Sequence, residues 1–261
     1  MAKPLPVGNC RICGAYGPLS FEHVPPRSAF NSRPILRATI EEIERAEFDV
    51  QNVRGKIHQR GSGGHTLCID CNQKTGRWYG AAFADWAHGA VRLLDRPLGV
   101  ASIYCPFFIF PLRVFKQILC MFASRTEGLF PDSRPELRTF VLDRDVRGLN
   151  PRFQVFAYLN VSNLFRTMGV TIQGNLRTHQ ISKLSEISFP PFGYVLTIDS
   201  PPPDPRLVEI THFARYKYDE WRDVWLRMPL LPVASWIPGD YRTLSEVVET
   251  GRRNRERDRA R

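Results

Sequence analysis

The sequence has no uninterrupted apolar run of the kind that crosses a membrane, which takes about 20 largely apolar residues. Its most apolar stretch, Ile103 to Cys120, is broken by Pro106, Pro111, Arg113 and Lys116, so it reads as core. The start, Met1 to Gly8, has no apolar segment resembling an export signal. The expectation is therefore no membrane and a reducing, cytoplasmic setting, where paired cysteines favour metal over disulfide. There is no internal repeat. Acidic residues are in deficit: 26 Asp and Glu against 36 Lys and Arg in 261 residues, a formal charge of +10. Such a surplus concentrates polyanions near the chain, and nucleic acid is the usual one. Cysteine and histidine are scarce, six of each, so their clustering carries information.

What is present is ordinary for a globular protein: 43% hydrophobic and 24% charged residues. The length suits one large domain or two modest ones. The pattern reads as α+β, with an N-terminal unit over residues 1–97, an α+β domain over 98–250 and an Arg-rich tail over 251–261. The boundary is placed near Asp95 to Gly99. Leu19 to Val24 is expected to be a strand stopped by Pro25 and Pro26, and Ala38 to Phe48 an amphipathic helix. Gly55 to Gly64 is basic and glycine-rich, hence a loop. A long helix is expected from Asn72 onward, with Trp78, Phe83, Trp86 and Leu93 spaced for burial. Further on, Leu112 to Ser124 reads as helix. Thr139 to Asp143, Phe153 to Val161, Val170 to Gln173, Tyr194 to Ile198 and Val208 to Phe213 read as strands. The tail reads as a solvated extension.

Two CxxC knuckles stand out, Cys10-Arg11-Ile12-Cys13 and Cys68-Ile69-Asp70-Cys71. A CxxC turn aims both thiolates at one point, and two such turns complete a four-sulfur zinc site. Cys105 and Cys120 lie in apolar surroundings and read as core. The long gap between the knuckles holds Glu22-His23-Val24-Pro25-Pro26, while Asn72 directly follows the second knuckle. A zinc tying Cys13 to Cys71 would bring a carboxylate, an imidazole and an amide oxygen to one place.

The order CxxC, then Glu22-His23-Val24-x-Pro26, then Gly63-Gly64, then Leu67-Cys68-x-x-Cys71-Asn72, with Gly76 beyond, resembles the HNH endonucleases of the His-Me finger group. It is most similar to their zinc-bearing treble-clef branch, endonuclease VII among them. The resemblance covers roughly residues 8 to 80, with an inserted segment at about 27–62. It implies a ββα element carrying structural Zn²⁺ on the four cysteines and a separate catalytic Mg²⁺ or Mn²⁺. His23 would be the general base that deprotonates the attacking water. Glu22 and Asn72 would offer oxygen to the hard cation. Where many members carry Asn in the middle of the motif, this chain has His65, which could orient the base, bind metal or touch phosphate. Free-standing bacterial members are often effectors of phage defence, restriction or mobile elements.

Blander readings stand beside these. Glu22 could be a surface carboxylate, and Asn72 a helix cap. His58, His88, His179 and His212 read as structural. Arg27, Lys56, Arg60, Lys74 and Arg77 flank the motif and read together as phosphate contacts on DNA, with RNA left open. Trp78, Tyr79, Phe83 and Trp86 read as packing rather than base-stacking residues. Trp221, Trp225 and Trp236 read as second-domain core or a partner surface, whether for a regulatory protein or a second copy. The expected function is phosphodiester hydrolysis in DNA. The alternative is a zinc-dependent nucleic-acid or protein adaptor that kept the fold and lost the chemistry.

Overall fold

The computed structural model describes residues 4–46, 52–95, 99–127, 129, 135–175, 180–235 and 237–259. The chain begins with two strands, β1 (Val7–Asn9) and β2 (Tyr16–His23), followed by the short β3 (Ile35–Arg37), α1 (Ile40–Arg45) and β4 (Lys56–His58). Next come β5 (Gly63–Cys68), α2 (Ile69–Thr75), a π-helical turn at Gly76–Gly80 and α3 (Ala81–Leu94). Beyond lie β6 (Ser102–Ile109), α4 (Pro111–Arg125), α5 (Pro135–Leu142), β7 (Phe153–Asn160), β8 (Arg166–Asn175), β9 (Gln180–Phe189) and β10 (Phe192–Ile198). The chain finishes with β11 (Val208–Glu209), a 3₁₀ turn at Thr211–Arg215, β12 (Arg222–Leu231) and α6 (Leu244–Arg259).

The result is a mixed α+β fold. A three-stranded sheet of order β1-β2-β5 feeds directly into the α2–α3 helical run. A seven-stranded sheet of order β6-β12-β7-β10-β9-β8, with β11 on β7, occupies the later residues. Between them lies α4, which packs on the Gly76–Gly80 turn, α3, α5, β5, β8 and β9. Its residues from Pro111 to Ser124 are all buried except Arg113. That is why Ile103 to Cys120 is so apolar without spanning anything; among the described residues no helix is long and apolar enough to cross a membrane.

Buried apolar residues on both sides of Asp95 to Gly99 belong to one continuous cluster, from Cys10 and Ile12 to Phe213 and Met228. Residues 96–98, where the boundary was expected, lie outside the described residues. The aromatic stripe of the first helical run supplies much of the join. Trp86 is fully buried, stacks on Phe192 at 4.5 Å and donates from Nε1 to the Tyr194 hydroxyl at 2.8 Å. Tyr79 donates to the Val141 carbonyl at 2.9 Å. These aromatics are therefore packing residues, and stacking on a base is not open to Tyr79, Phe83 or Trp86.

Several expectations need correction. Thr139 to Asp143 is not a strand: α5 covers Pro135–Leu142. Pro135 suits a first helical turn, and Leu137, Phe140 and Val141 bury one face at spacings of three and four. Val208 to Phe213 is a strand only over Val208–Glu209, and then tightens into the 3₁₀ turn. There the Thr211 hydroxyl accepts from the Val155 amide, so a side chain replaces the ladder. Strands β1, β3, β6, β9 and β12 were not anticipated, and Gly55 to Gly64 is not all loop, since β4 and the first residues of β5 lie in it. The helix at Ala38 to Phe48 shortens to Ile40–Arg45, its expected end at 47–48 lying outside the described residues. The Arg-rich tail continues α6 as far as Arg259, with Arg252–Glu256 and Arg253–Glu249 pairs one turn apart. Trp221 and Trp225 are 55% and 52% exposed, so they are not core; Trp236 and His179 lie outside the described residues.

Candidate metal centre and adjoining cleft

The four-sulfur cluster is built by two different local devices. In the first knuckle the chain turns back at Gly14, whose φ of +78° is natural only for glycine, and its amide donates to the Cys10 carbonyl at 2.8 Å. In the second, Cys68 caps α2, its sulfur accepting from the Cys71 amide at 3.4 Å. The Arg11 amide donates to the Thr66 carbonyl at 2.9 Å, which holds the first knuckle against β5. All four Sγ atoms consequently lie within 4.8 Å of one another, and Cys13 and Cys68 are 3.8 Å apart. A tetrahedral zinc with bonds of about 2.3 Å sets its sulfurs about 3.8 Å apart. Cys10 and Cys71 are buried, Cys13 and Cys68 half-buried, and all are free thiols. The four thiolates fit a metal ion such as zinc. Cys105 and Cys120 are buried away from this group.

The cluster anchors β2 against β5, and the strand pairing then carries chemistry away from the sulfurs. Leu19 pairs with Cys68, while Glu22 and His23 pair with Gly64 and Gly63. The register shifts between Ser20 and Phe21 because Thr66 is an extra residue on β5, a bulge of the kind that re-aims side chains. Gly63 is required for the pairing. A Cβ there would run into the Glu22 carbonyl and the Phe21 ring. Gly63→Ala is expected to cost about 2–3 kcal/mol through overpacking while leaving the four-cysteine cluster able to bind metal. Urea denaturation with metal analysis of the same sample checks both parts. Unchanged stability would show that the strands do not need this close approach.

Asn72 does not cap the helix, contrary to one expectation, because Cys68 does. It lies within α2, and its Nδ2 donates to the Ser20 hydroxyl at 3.0 Å and the Phe21 carbonyl at 3.1 Å. With the nitrogen committed to β2, the amide oxygen is left as the group for a ligand. Glu22, His23 and Asn72 all line one open cleft of about 490 Å³, together with Arg27. Its helical wall is made small by Gly76, Gly80, Ala81 and Ala84. Gly76 and Gly80 bracket the π-helical turn, and a Cβ on either would meet nothing within 4 Å, so both leave the cleft open.

Burial tunes the two ionisable groups in opposite senses. Glu22 is 8% exposed, and its carboxyl is pushed up to about 8 by loss of solvation. His23 is held below its ordinary value, first by burial and then by the positive charges of Arg60 and Arg27, against a hydrogen bond with the Arg60 backbone. The imidazole is thus a neutral base at neutral pH. Among the described residues the four cysteines are the one group of three or more His, Cys, Asp or Glu side chains close enough to share a metal. The cleft's carboxyl and amide oxygens for a cation come from Glu22, Asn72, Asp85 and Gln117, with water completing any shell.

The other anticipated residues are spread more widely. His65 does not line the cleft. Its Nδ1 pairs with the Leu19 carbonyl at 3.1 Å, and its ring meets the Phe21 ring edge-on at 5.5 Å. The Arg60 guanidinium lies over Phe21 at 4.3 Å, and the Lys74 ammonium over Trp78 at 4.7 Å. Lys56 is exposed on β4, and Arg77 is exposed on the π-helical turn.

Two residues in or beside the cleft were not anticipated. Asn31 is 1% exposed and clasps the loop after His23. It donates to the Pro25 and Ser62 carbonyls, and accepts from the Ser62 amide, each at 2.7 Å. A lone Asn in an irregular stretch gives no sequence signal for that role. Gln117 lines the cleft from α4, forty-five residues beyond Asn72. No known protein family, curated protein or solved structure matches the chain.

Proposed function

We propose that this protein is a metal-dependent nuclease of the HNH, His-Me finger type, cutting phosphodiester bonds in DNA. One observation carries the reading. A carboxylate, an imidazole and an amide, from two segments fifty residues apart, face one open cleft beside a four-sulfur cluster. The hairpin-like pairing of β2 with β5, running straight into α2, supports a ββα arrangement in the treble-clef style, with zinc on Cys10, Cys13, Cys68 and Cys71.

In this reading His23 takes the proton of a water as its oxygen bonds to phosphorus and the phosphorus–oxygen bond to the leaving group breaks. Glu22 and Asn72 would hold Mg²⁺ or Mn²⁺ through oxygen, and that cation would supply positive charge against the anionic phosphodiester. Arg27 is on the cleft wall and suits a phosphate oxygen. Arg60, Lys56, Lys74 and Arg77 would add sequence-independent attraction for the backbone, sensitive to salt. A role for the later α+β residues in positioning or regulation belongs to the same proposal.

The test is a cleavage assay with purified protein and Mg²⁺ or Mn²⁺ on single-stranded, duplex and branched DNA, with RNA alongside. Cutting of DNA that stops on chelation of the divalent ion is the expected result. No cutting of any form would overturn the nuclease reading in favour of an adaptor.

A further inference from the structure

Most of the cleft comes from the first hundred residues, but one wall is closed by α4. Gln117 stands there, 2% exposed in a helix otherwise packed with Leu112, Phe115, Ile118 and Leu119. Its Oε1 is sealed from solvent without a hydrogen-bond partner, and its Nε2 has no partner among the described residues. The neighbouring polar residue behaves differently: Lys116 Nζ donates to the Asp143 and Arg144 carbonyls, at 2.6 and 3.1 Å. An unpaired buried amide is costly, and leucine or methionine would fill the same space without that cost. A polar group kept under such conditions at the edge of a cleft points to a ligand outside the chain.

We propose that Gln117 is a phosphate-contacting residue, donating from Nε2 to a non-bridging oxygen of the phosphodiester held in the cleft. With Oε1 sealed, the nitrogen is the end of the amide left to face the cleft, and N–H donors suit phosphate oxygens rather than cations. The assignment rests on the nuclease reading for the identity of the bound group, and it adds a donor from outside the HNH-like segment. Gln117 and Arg27 then grip the phosphate from α4 and from the loop after β2.

The experiment compares full-length wild type with Gln117→Leu and Gln117→Glu. Three quantities are measured: melting temperature without substrate, affinity for a duplex in metal-free buffer, and single-turnover cleavage across a Mg²⁺ titration. Gln117→Leu should melt about 2–4 °C higher, because an unpaired amide is gone. It should bind the duplex about tenfold more weakly and cleave about 10²-fold more slowly, with the half-saturating Mg²⁺ concentration unchanged. Gln117→Glu should also be slower than wild type, and increasingly so as rising pH ionises the buried carboxyl and sets it against phosphate. Wild-type affinity and rate in Gln117→Leu would overturn the assignment and leave a packing amide. Recovery of the Gln117→Leu rate at high Mg²⁺ would also overturn it, making the amide a cation ligand. If the wild type itself does not cut, the nuclease reading fails, while the affinity comparison still decides whether Gln117 touches phosphate.

Discussion

Replacing His23 with alanine should reduce DNA cleavage by about 10²–10⁴-fold, the range a positioned general base supplies, while leaving the fold and DNA retention intact. The separation is physical. His23 is half-buried at the end of β2, and its neighbours Val24 and Glu22 are held by backbone pairing to Ser62 and Gly64, not by the imidazole. Single-turnover rates for both proteins, with circular dichroism and retention on immobilised duplex, check each part. The pH profile adds a readout that a purely structural histidine would not move. Because burial, Arg60 and Arg27 disfavour the charged ring, the base is in its neutral, proton-accepting form above a value lower than the ordinary 6.5. At saturating Mg²⁺, where the Glu22 carboxyl is held ionised, activity should therefore rise as pH increases through that depressed value and be level by neutrality; at limiting Mg²⁺ a second rise toward about 8 should appear as Glu22 ionises. Arg60→Gln removes one of the charges, so its limb should lie at higher pH than that of the wild type. Cleavage by His23→Ala within a few fold of wild type would remove the base from this account.

Loss of the four-sulfur metal should have the other large effect. The purified chain should carry one zinc per molecule. Cys71→Ser or Cys10→Ser should lose it, together with the ordered N-terminal residues and all cleavage. Structural zinc supplies on the order of 10 kcal/mol of folding free energy in small zinc modules. Here the buried Cys10 and Cys71 also belong to the continuous core, so the damage extends beyond the knuckles. Cys120→Ala is the control: Cys120 is buried outside the cluster, so the variant should lose about 1–2 kcal/mol from the cavity but keep the metal. Metal analysis, thermal melting and limited proteolysis report these outcomes. Full zinc content in Cys71→Ser would show that the cluster is not the zinc site.

These expectations differ in how far they could be read before the fold was known. The knuckles were legible because metal ligation demands particular atoms at particular spacing, and that demand is written locally as CxxC. The nearness of Glu22, His23 and Asn72 followed from the same clamp. His65 shows the limit: its place in the motif-like order gave no hint that the Leu19 carbonyl would take up its ring nitrogen. Thr139 to Asp143 shows another. A short run of β-prone residues looks like a strand until Pro135 and the burial of Leu137, Phe140 and Val141 select a helix. Strands β6 and β12 escaped for the opposite reason. Their outward positions carry Tyr104, Phe108 and Trp225, each more than half exposed, so the expected alternation of apolar and polar was blurred.

By itself the sequence determined a basic α+β chain with two thiolate pairs able to share a metal, and a carboxylate, imidazole and amide placed to meet beside them. Those properties depend on residue type and short spacing, which survive without knowledge of the fold. Only the tertiary structure decided that the Asn72 nitrogen is spent on β2, that Glu22 is desolvated and that α4 closes the cleft with an unpaired Gln117. Each of these depends on what distant segments place around a side chain. Burial and missing partners are properties of the packed whole, and no local pattern encodes them.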